Sequence, residues 1–282
     1  MNRPPLVITI QSQVAYGHVG NSAAVFPLLA SGLEVAQVPT VLFSNTPAHP
    51  TLRGRALPAD LFADLLTGLQ ERGLPERAAF IISGYIRSPE IAELTADFIA
   101  HAKAANPGLT YLCDPVMGDS GPGLYVSEEI TRVMRDRLLP MADLATPNQF
   151  ELGFLGGGEI RTLADLAKAS AQVPLPNGAH LITTGCLLDD TAPGHLESIV
   201  SGPDGIDRHS TAHRPAALGG TGDLFAALVI AGLGQGLDLG PAIDRAQTLV
   251  TCALERALVL GNREVVMSDP SFRAALLGQT TG

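Results

Sequence analysis

The stretch AAFIISGYIRSPEIAELTADFIAHAKAANPGLTYLCDPV, residues 78–116, reads as one complete strand–helix–strand unit. AAFIIS (78–83) and TYLCDPV (110–116) are apolar runs of strand length. Between them, SPEIAELTADFIAHAKAAN places apolar residues three and four apart, the period of a helix that buries one face. Ser88, Pro89 and Glu90 form a good helix start, and Asn106-Pro107-Gly108 is a clear stop. Apolar strands joined through a helix belong to a parallel sheet covered on both faces.

The pattern repeats outward from this unit. LVITI (6–10), DLAT (143–146) and HLITT (180–184) are further strand-length runs, and PADLFADLLTGLQERG (58–73) has helical period. The last third, DLFAALVIAGLGQGL and then GPAIDRAQTLVTCALERALVL, is helical. The expected fold is α/β, with a central, mostly parallel β-sheet flanked by α-helices on both faces. With no internal repeat or linker, residues 1–282 are expected to form a single domain. Ligands of such sheets sit at the carboxyl ends of the strands. Ser12, Tyr85, Asp114, Thr146 and Thr184 fall where strand runs end. So do Asn45 and Thr46, which enter an irregular loop forced by Pro47 and Pro50.

Composition narrows the function. Hydrophobic residues make up 46% and charged residues 16%, which suits a compact soluble protein with a large core. The net charge of −10, without any basic run, excludes a nucleic-acid surface built on clustered Lys and Arg. Lys103 and Lys168 are the only lysines among 18 basic side chains, so an anionic substrate falls to backbone amides, a metal, arginine or a helix N-terminus. Cys113, Cys186 and Cys252 have no metal-ligand spacing and read as free thiols of a reducing compartment. The start, MNRPPLVITI, is too soon interrupted for a signal peptide, and no run of eighteen apolar residues exists. A cytoplasmic protein without membrane contact is expected.

Three motifs carry chemistry. In GGTGDLFAALVIAGL (219–233), three glycines precede an apolar helix with Asp223 in its first turn. Glycines and a helix N-terminus together favour an anion, and an Asp beside such a hole suits a general base. The same Asp also suits a plain N-terminal cap. GxxxxGK[ST] and GxGxxG are both absent. In CDPVMGDSG (113–121), Asp114 ends a strand and Asp119 lies in the loop beyond; Asp-Pro is also an ordinary turn initiator. ATPNQFE (145–151) puts Glu151 one turn into a helix, where it can serve a capping arrangement. Asp114 and Glu151 together could hold Mg²⁺, partly through water, with phosphates completing the shell.

SQVAYGHVGNSAAVFPL, TVLFSN, SGY, YLCDPVMGD, TPNQFE and GTGDLFAA together resemble pyridoxal kinases, the vitamin B6 kinases of the ribokinase-like superfamily. GTGD marks the superfamily, and SQV-YG-VGN with FSN points to the B6 kinases. The resemblance implies ATP-dependent phosphorylation of the 5′-hydroxyl of pyridoxal to pyridoxal 5′-phosphate, with pyridoxine and pyridoxamine as further candidate substrates. It implies Ser12 and Tyr85 at the pyridine ring, Asp223 as the base, and Gly220, Thr221 and Gly222 as the anion hole. It implies Asp114 and Glu151 as cation-water ligands of MgATP, Thr146 near a monovalent cation (K⁺ or Na⁺), and Asp119, Asn148 and Thr184 at the nucleotide. It also implies a homodimer and a part for His18 in shaping the substrate pocket.

Two departures stand out. After FSN the family usually has His-Thr, whose threonine reaches the substrate. Here Thr46 and Pro47 occupy those places, so the lid's hydroxyl contact is displaced or lost. Ala216-Ala217-Leu218 resembles the substrate-adjacent segment only loosely. Arg208 to Arg214 reads either as a closure over the nucleotide or as a solvated loop. Hydroxymethylpyrimidine kinases share the CDP and TPN signatures, but usually carry GTGC and lack FSN. A non-catalytic pyridoxal phosphate carrier would have no use for Asp114, Glu151, Gly222 and Asp223 together.

Overall fold

In the computed structural model, residues 3–214 and 218–278 are described. The chain divides into two compact units, Met1–Ile82 with Arg214–Gly282, and Ser83–His213.

The first unit begins with β1 (Leu6–Val14), α1 (Asn21–Ala30), β2 (Glu34–Phe43), β3 (Gly54–Ala56), α2 (Ala59–Gln70), α3 (Leu74–Arg77) and β4 (Ala78–Ser83). Its strands lie in the order β4-β1-β2-β3. β1 and β2 pair in parallel from Leu6 opposite Glu34, and β3 closes the edge antiparallel to β2. β1 is buried at nearly every position, as expected for a strand covered on both faces. It runs four residues past the apolar LVITI, because Gln11 and Ser12 find polar partners or enclosed places inside the sheet. Ser12 is therefore within the strand and not beyond its end. Pairing shifts there, from Gln11 opposite Pro39 to Gln13 opposite Leu42, so Thr40 and Val41 of β2 bulge opposite Ser12. Such a bulge bends β2 locally and breaks the regular ladder beside Ser12.

The second unit follows with α4 (Pro89–Ala105), β5 (Thr110–Cys113), β6 (Gly118–Asp119), β7 (Gly123–Leu124), α5 (Glu128–Val133), β8 (Leu144–Ala145), α6 (Gln149–Gly156), α7 (Leu163–Ser170), β9 (His180–Cys186), β10 (His195–Gly202) and β11 (Gly205–Ala212). Ser88 Oγ accepts the Ile91 N–H to start α4, whose buried stripe runs from Ile91 to Ala102. β5, β8 and β9 are parallel, and β10 and β11 add an antiparallel hairpin at one edge. Lys103, near the end of α4, donates to both Asp143 oxygens at 2.7 and 2.8 Å and to the Met141 carbonyl at 2.8 Å. Exposed Lys168 stands in the last turn of α7.

The chain returns to the first unit with α8 (Thr221–Gly234), α9 (Leu239–Leu260) and α10 (Pro270–Leu276). Nine consecutive residues of α8, Leu224 to Gly232, are buried, and the helix packs against α1 and α9. An all-round apolar helix is stable only when enclosed in this way. The α/β class and the mostly parallel sheet flanked by helices hold. The antiparallel edges at β3 and at β10–β11 are additions. Among the described residues, no helix is long and apolar enough to cross a membrane.

Candidate active site

In the first unit, α8 opens on Gly220 in the left-handed region, φ 85°, with no side-chain cap. A Cβ on Gly220 would lie 1.8 Å from the His18 carbonyl oxygen, so only glycine lets the 15–20 loop reach the helix start. The first-turn amides of such a helix lack intrahelical partners and face outward with partial positive charge. Asp223 stands half-buried in this turn, beside Thr221 and exposed Gly222. Enclosure by protein pushes its carboxyl above the ordinary aspartate range, and the Gly20 N–H pulls it partly back. That backbone partner comes from the start of α1. A simple cap of α8 would not need a backbone donor from another element.

The FSNTPAHP loop also belongs to this unit. Asn45 Nδ2 donates to the Thr51 carbonyl at 2.7 Å and to the Thr46 carbonyl at 3.0 Å, closing the loop on itself. Thr46 is only 1% exposed, and its hydroxyl donates to Glu264 Oε1 at 2.5 Å. Pro47, the next residue, is exposed. The Tyr16 and His49 rings approach with centroids 5.8 Å apart. Ser12 is buried opposite the β2 bulge.

In the second unit, Asp114 is buried just past β5, with its N–H bonded to the Ser83 carbonyl. Glu151 is buried in the first turn of α6 and completes a capping box with Asn148. Its Oε1 accepts N–H bonds from Met117 (2.7 Å) and Gly118 (3.2 Å), and its Oε2 accepts from Asn148 (2.9 Å). Burial pushes this carboxyl up to about 7, against the pull of those three amides. Glu151 therefore ties the CDPVMGD loop to the start of α6, a fuller role than the cap alone. Asn148 Nδ2 donates in turn to the Gly118 carbonyl.

Thr146 is 4% exposed, and its hydroxyl oxygen has no hydrogen-bond partner. Such an orphan calls for a water or an ion, and a hydroxyl oxygen is a donor that a hard cation accepts. Thr184 lies inside β9, bridged to Asn148 through its bond to the Pro147 carbonyl. Asp119 is exposed on β6 and turns back to the Ser120 N–H. Tyr85 is half-buried against Tyr125; burial raises its phenol, and nearby Arg87 opposes the rise. Among the described residues, no group of three or more His, Cys, Asp or Glu could hold a metal by itself.

A family model described as phosphomethylpyrimidine kinase matches residues 77–268. The pyridoxal kinase PdxY of Rubrobacter xylanophilus is 40% identical over 260 residues, covering 92% of this chain and 90% of that protein. The chain belongs to the pyridoxal kinase family. A pyridoxine/pyridoxal/pyridoxamine kinase of Bordetella avium is 38% identical over 275 residues, covering 96% and 92%. The pyridoxal kinase of Leishmania donovani, solved in complex with ADP and pyridoxamine, superposes with a TM-score of 0.86 at 28% identity. That match covers 98% of this chain and 97% of the solved one. The expected ribokinase-like fold of these kinases is thereby met.

Some expectations within this kinase-family chain change. The span from 208 to 212 is not a loop: it lies in β11. The Arg208 guanidinium donates to Glu197 at 2.9 and 2.6 Å and to Asp190 at 2.7 and 3.1 Å. Four of its five N–H donors are used, so it braces the hairpin. Arg214 donates from Nε and Nη2 to Glu255 Oε1. Ala216 and Ala217 lie outside the described residues.

Sequence reasoning missed the hairpin, although Pro203-Asp204-Gly205 between two alternating runs is a turn signal. It also missed Glu264. Gly219 bonds the Arg263 carbonyl and accepts from the Val265 N–H, which sets Glu264 beside the glycine loop. No local pattern around NREVV announces this.

Proposed function

We propose that this chain is an ATP-dependent pyridoxal kinase, transferring the γ-phosphoryl of ATP to the 5′-hydroxyl of pyridoxal, and also of pyridoxine and pyridoxamine. With pyridoxal the products are pyridoxal 5′-phosphate and ADP, a salvage reaction. The observation that carries the proposal is Asp223: a carboxylate held above its ordinary pKa, in the first turn of a helix opened by glycine. In this reading Asp223 takes the 5′-hydroxyl proton as the oxygen bonds to the γ-phosphorus and the bond to ADP breaks. The amides of Gly220, Thr221 and Gly222 receive the phosphoryl oxygens. Phosphoryl transfer needs mainly such positioning and charge neutralisation.

Ser12 and Tyr85 contact the pyridine ring, and Asp119, Asn148 and Thr184 contact the nucleotide. Asp114, with Glu151 acting through water, would hold Mg²⁺, which neutralises charge on the phosphates when bound. The orphaned Thr146 hydroxyl would serve K⁺ or Na⁺. We place the protein in the cytoplasm as a homodimer, acting as one kinase domain over residues 1–282.

Because the matching family model is described as phosphomethylpyrimidine kinase, hydroxymethylpyrimidine is the proper competitor. The test is MgATP turnover on pyridoxal, pyridoxine, pyridoxamine and hydroxymethylpyrimidine side by side. Pyridoxal is expected to show the higher kcat/KM; a clear preference for the pyrimidine would overturn the assignment. No turnover with tight pyridoxal phosphate binding would favour a carrier.

A second prediction concerns the lid. Exposed Pro47 supplies no hydroxyl, and the proton of Thr46 is already given to Glu264. One substrate hydrogen bond is therefore missing, worth about 0.5–1.5 kcal/mol. Pro47→Thr is expected to tighten pyridoxal binding roughly three- to tenfold, measured by equilibrium dialysis. An unchanged Kd means the lid hydroxyl is not needed here.

A further inference from the structure

We infer that Glu264 is the positioning residue for the acceptor-binding loops, an inference that rests on the pyridoxal kinase reading above. Its carboxylate is buried, 6% exposed, and it gathers groups remote in sequence. Oε2 accepts the His18 N–H at 2.7 Å, across 246 residues. Oε1 accepts the Thr46 hydroxyl at 2.5 Å, across 218 residues, and the His49 Nε2 lies 3.4 Å away. Both the SQVAYGHVGN loop and the FSNTPAHP loop are thus fastened to one side chain. That side chain is itself seated beside Gly219 by the bonds of Arg263 and Val265 to it. Arg263 adds a second tie, from Nη1 to the Ala48 carbonyl at 2.6 Å.

The local sequence is shaped around this carboxylate. A Cβ on Gly17, φ 113°, would lie 2.2 Å from Glu264 Oε2, so glycine makes room for it. A hydroxyl donating to a carboxylate at this distance is a charge-assisted bond, about twice as strong as a neutral one. Glu264 serves two loops of the acceptor half and its hydrogen bonds go to those loops, so its removal should loosen acceptor binding selectively. The nucleotide contacts proposed above come from other parts of the chain.

The side-chain chemistry gives a graded test. Glu264→Ala removes both bonds. Glu264→Gln can keep both, since its amide oxygen still accepts the His18 N–H and its NH₂ can donate to a Thr46 hydroxyl that turns round to accept. Thr46→Val keeps the shape and loses one bond. KM for pyridoxal is expected to rise about ten- to thirtyfold in Glu264→Ala, the lower range for a bond to a charged group. It should rise less in Thr46→Val and return most of the way in Glu264→Gln. KM for MgATP and kcat at saturating pyridoxal should stay within about threefold of wild type.

Hydrogen exchange supplies a readout independent of turnover: the His18 amide and residues 44–50 should exchange faster in Glu264→Ala. If that variant fails to fold, Thr46→Val still decides the matter through the same KM split. Equal rises in both KM values, a fall in kcat alone, or no acceleration of exchange would overturn the inference. Inactive wild-type protein with the expected exchange pattern would instead sink the kinase reading and leave the clamp standing.

Discussion

Asp223→Asn is expected to lower kcat by about 10²–10⁴-fold, the usual contribution of a positioned general base, while leaving the fold and MgATP binding nearly intact. Asparagine is nearly isosteric and can still accept the Gly20 N–H through its amide oxygen, so the link between the starts of α8 and α1 survives. It cannot take a proton from the acceptor hydroxyl. A second signature follows from the raised carboxyl. The base works only when ionised, so kcat/KM of the wild type should fall with decreasing pH through a pKa above the ordinary aspartate range. That limb should vanish in Asp223→Asn. The checks are kcat, a melting temperature and the pH profile for both proteins. A variant that melts several degrees lower but keeps most of its kcat would show that Asp223 is structural and that the base lies elsewhere.

Glu151→Ala is expected to be the most destabilising of the single changes considered. It strips the acceptor from the Met117, Gly118 and Asn148 amides at once. A buried donor left without a partner costs about 1–3 kcal/mol, and relief of the carboxylate's own burial offsets part of the sum. A net loss of about 2–5 kcal/mol lowers Tm by roughly 5–15 °C, readable by calorimetry.

The pH dependence of Glu151 has a definite sign. Its folded pKa of about 7 stands above the ordinary 4.5, so folding favours the protonated form. The stabilisation is complete below about pH 4.5 and is lost as pH rises through about 7. In EDTA, wild type should lose up to about 3 kcal/mol across that window relative to Glu151→Gln, which does not titrate. Parallel pH–stability curves for the two proteins would refute this account.

The parts of the fold visible in the sequence were those set by neighbours in the chain. Ser88 and Asn106 bracket α4 because a capping side chain and a Pro-Gly stop act within one turn. Asn148 and Glu151 announced α6 for the same reason. The extent of β1 was not visible, since Gln11 and Ser12 are polar and their burial depends on what surrounds the strand. In the sequence Thr46 stands as a candidate substrate contact, and only its approach to Glu264, 218 residues on, shows where its proton goes. Asp114 and Glu151 were legible as acidic groups at strand and helix ends. That Glu151 spends both oxygens on backbone amides was not, because two of those amides lie over thirty residues earlier in the chain.

The scarcity of lysine has a chemical consequence if, as proposed, the substrate and product are aldehydes. Primary amines condense with such aldehydes to form imines, and a catalyst rich in surface lysine would derivatise itself. Here there are two ε-amines. That of Lys103 is tied by hydrogen bonds to both Asp143 oxygens and the Met141 carbonyl. Lys168, out on α7, is the more exposed of the two. Arginine supplies the remaining positive charge without that reactivity, so an aldehyde released in the proposed reaction would meet few side-chain amines on this chain.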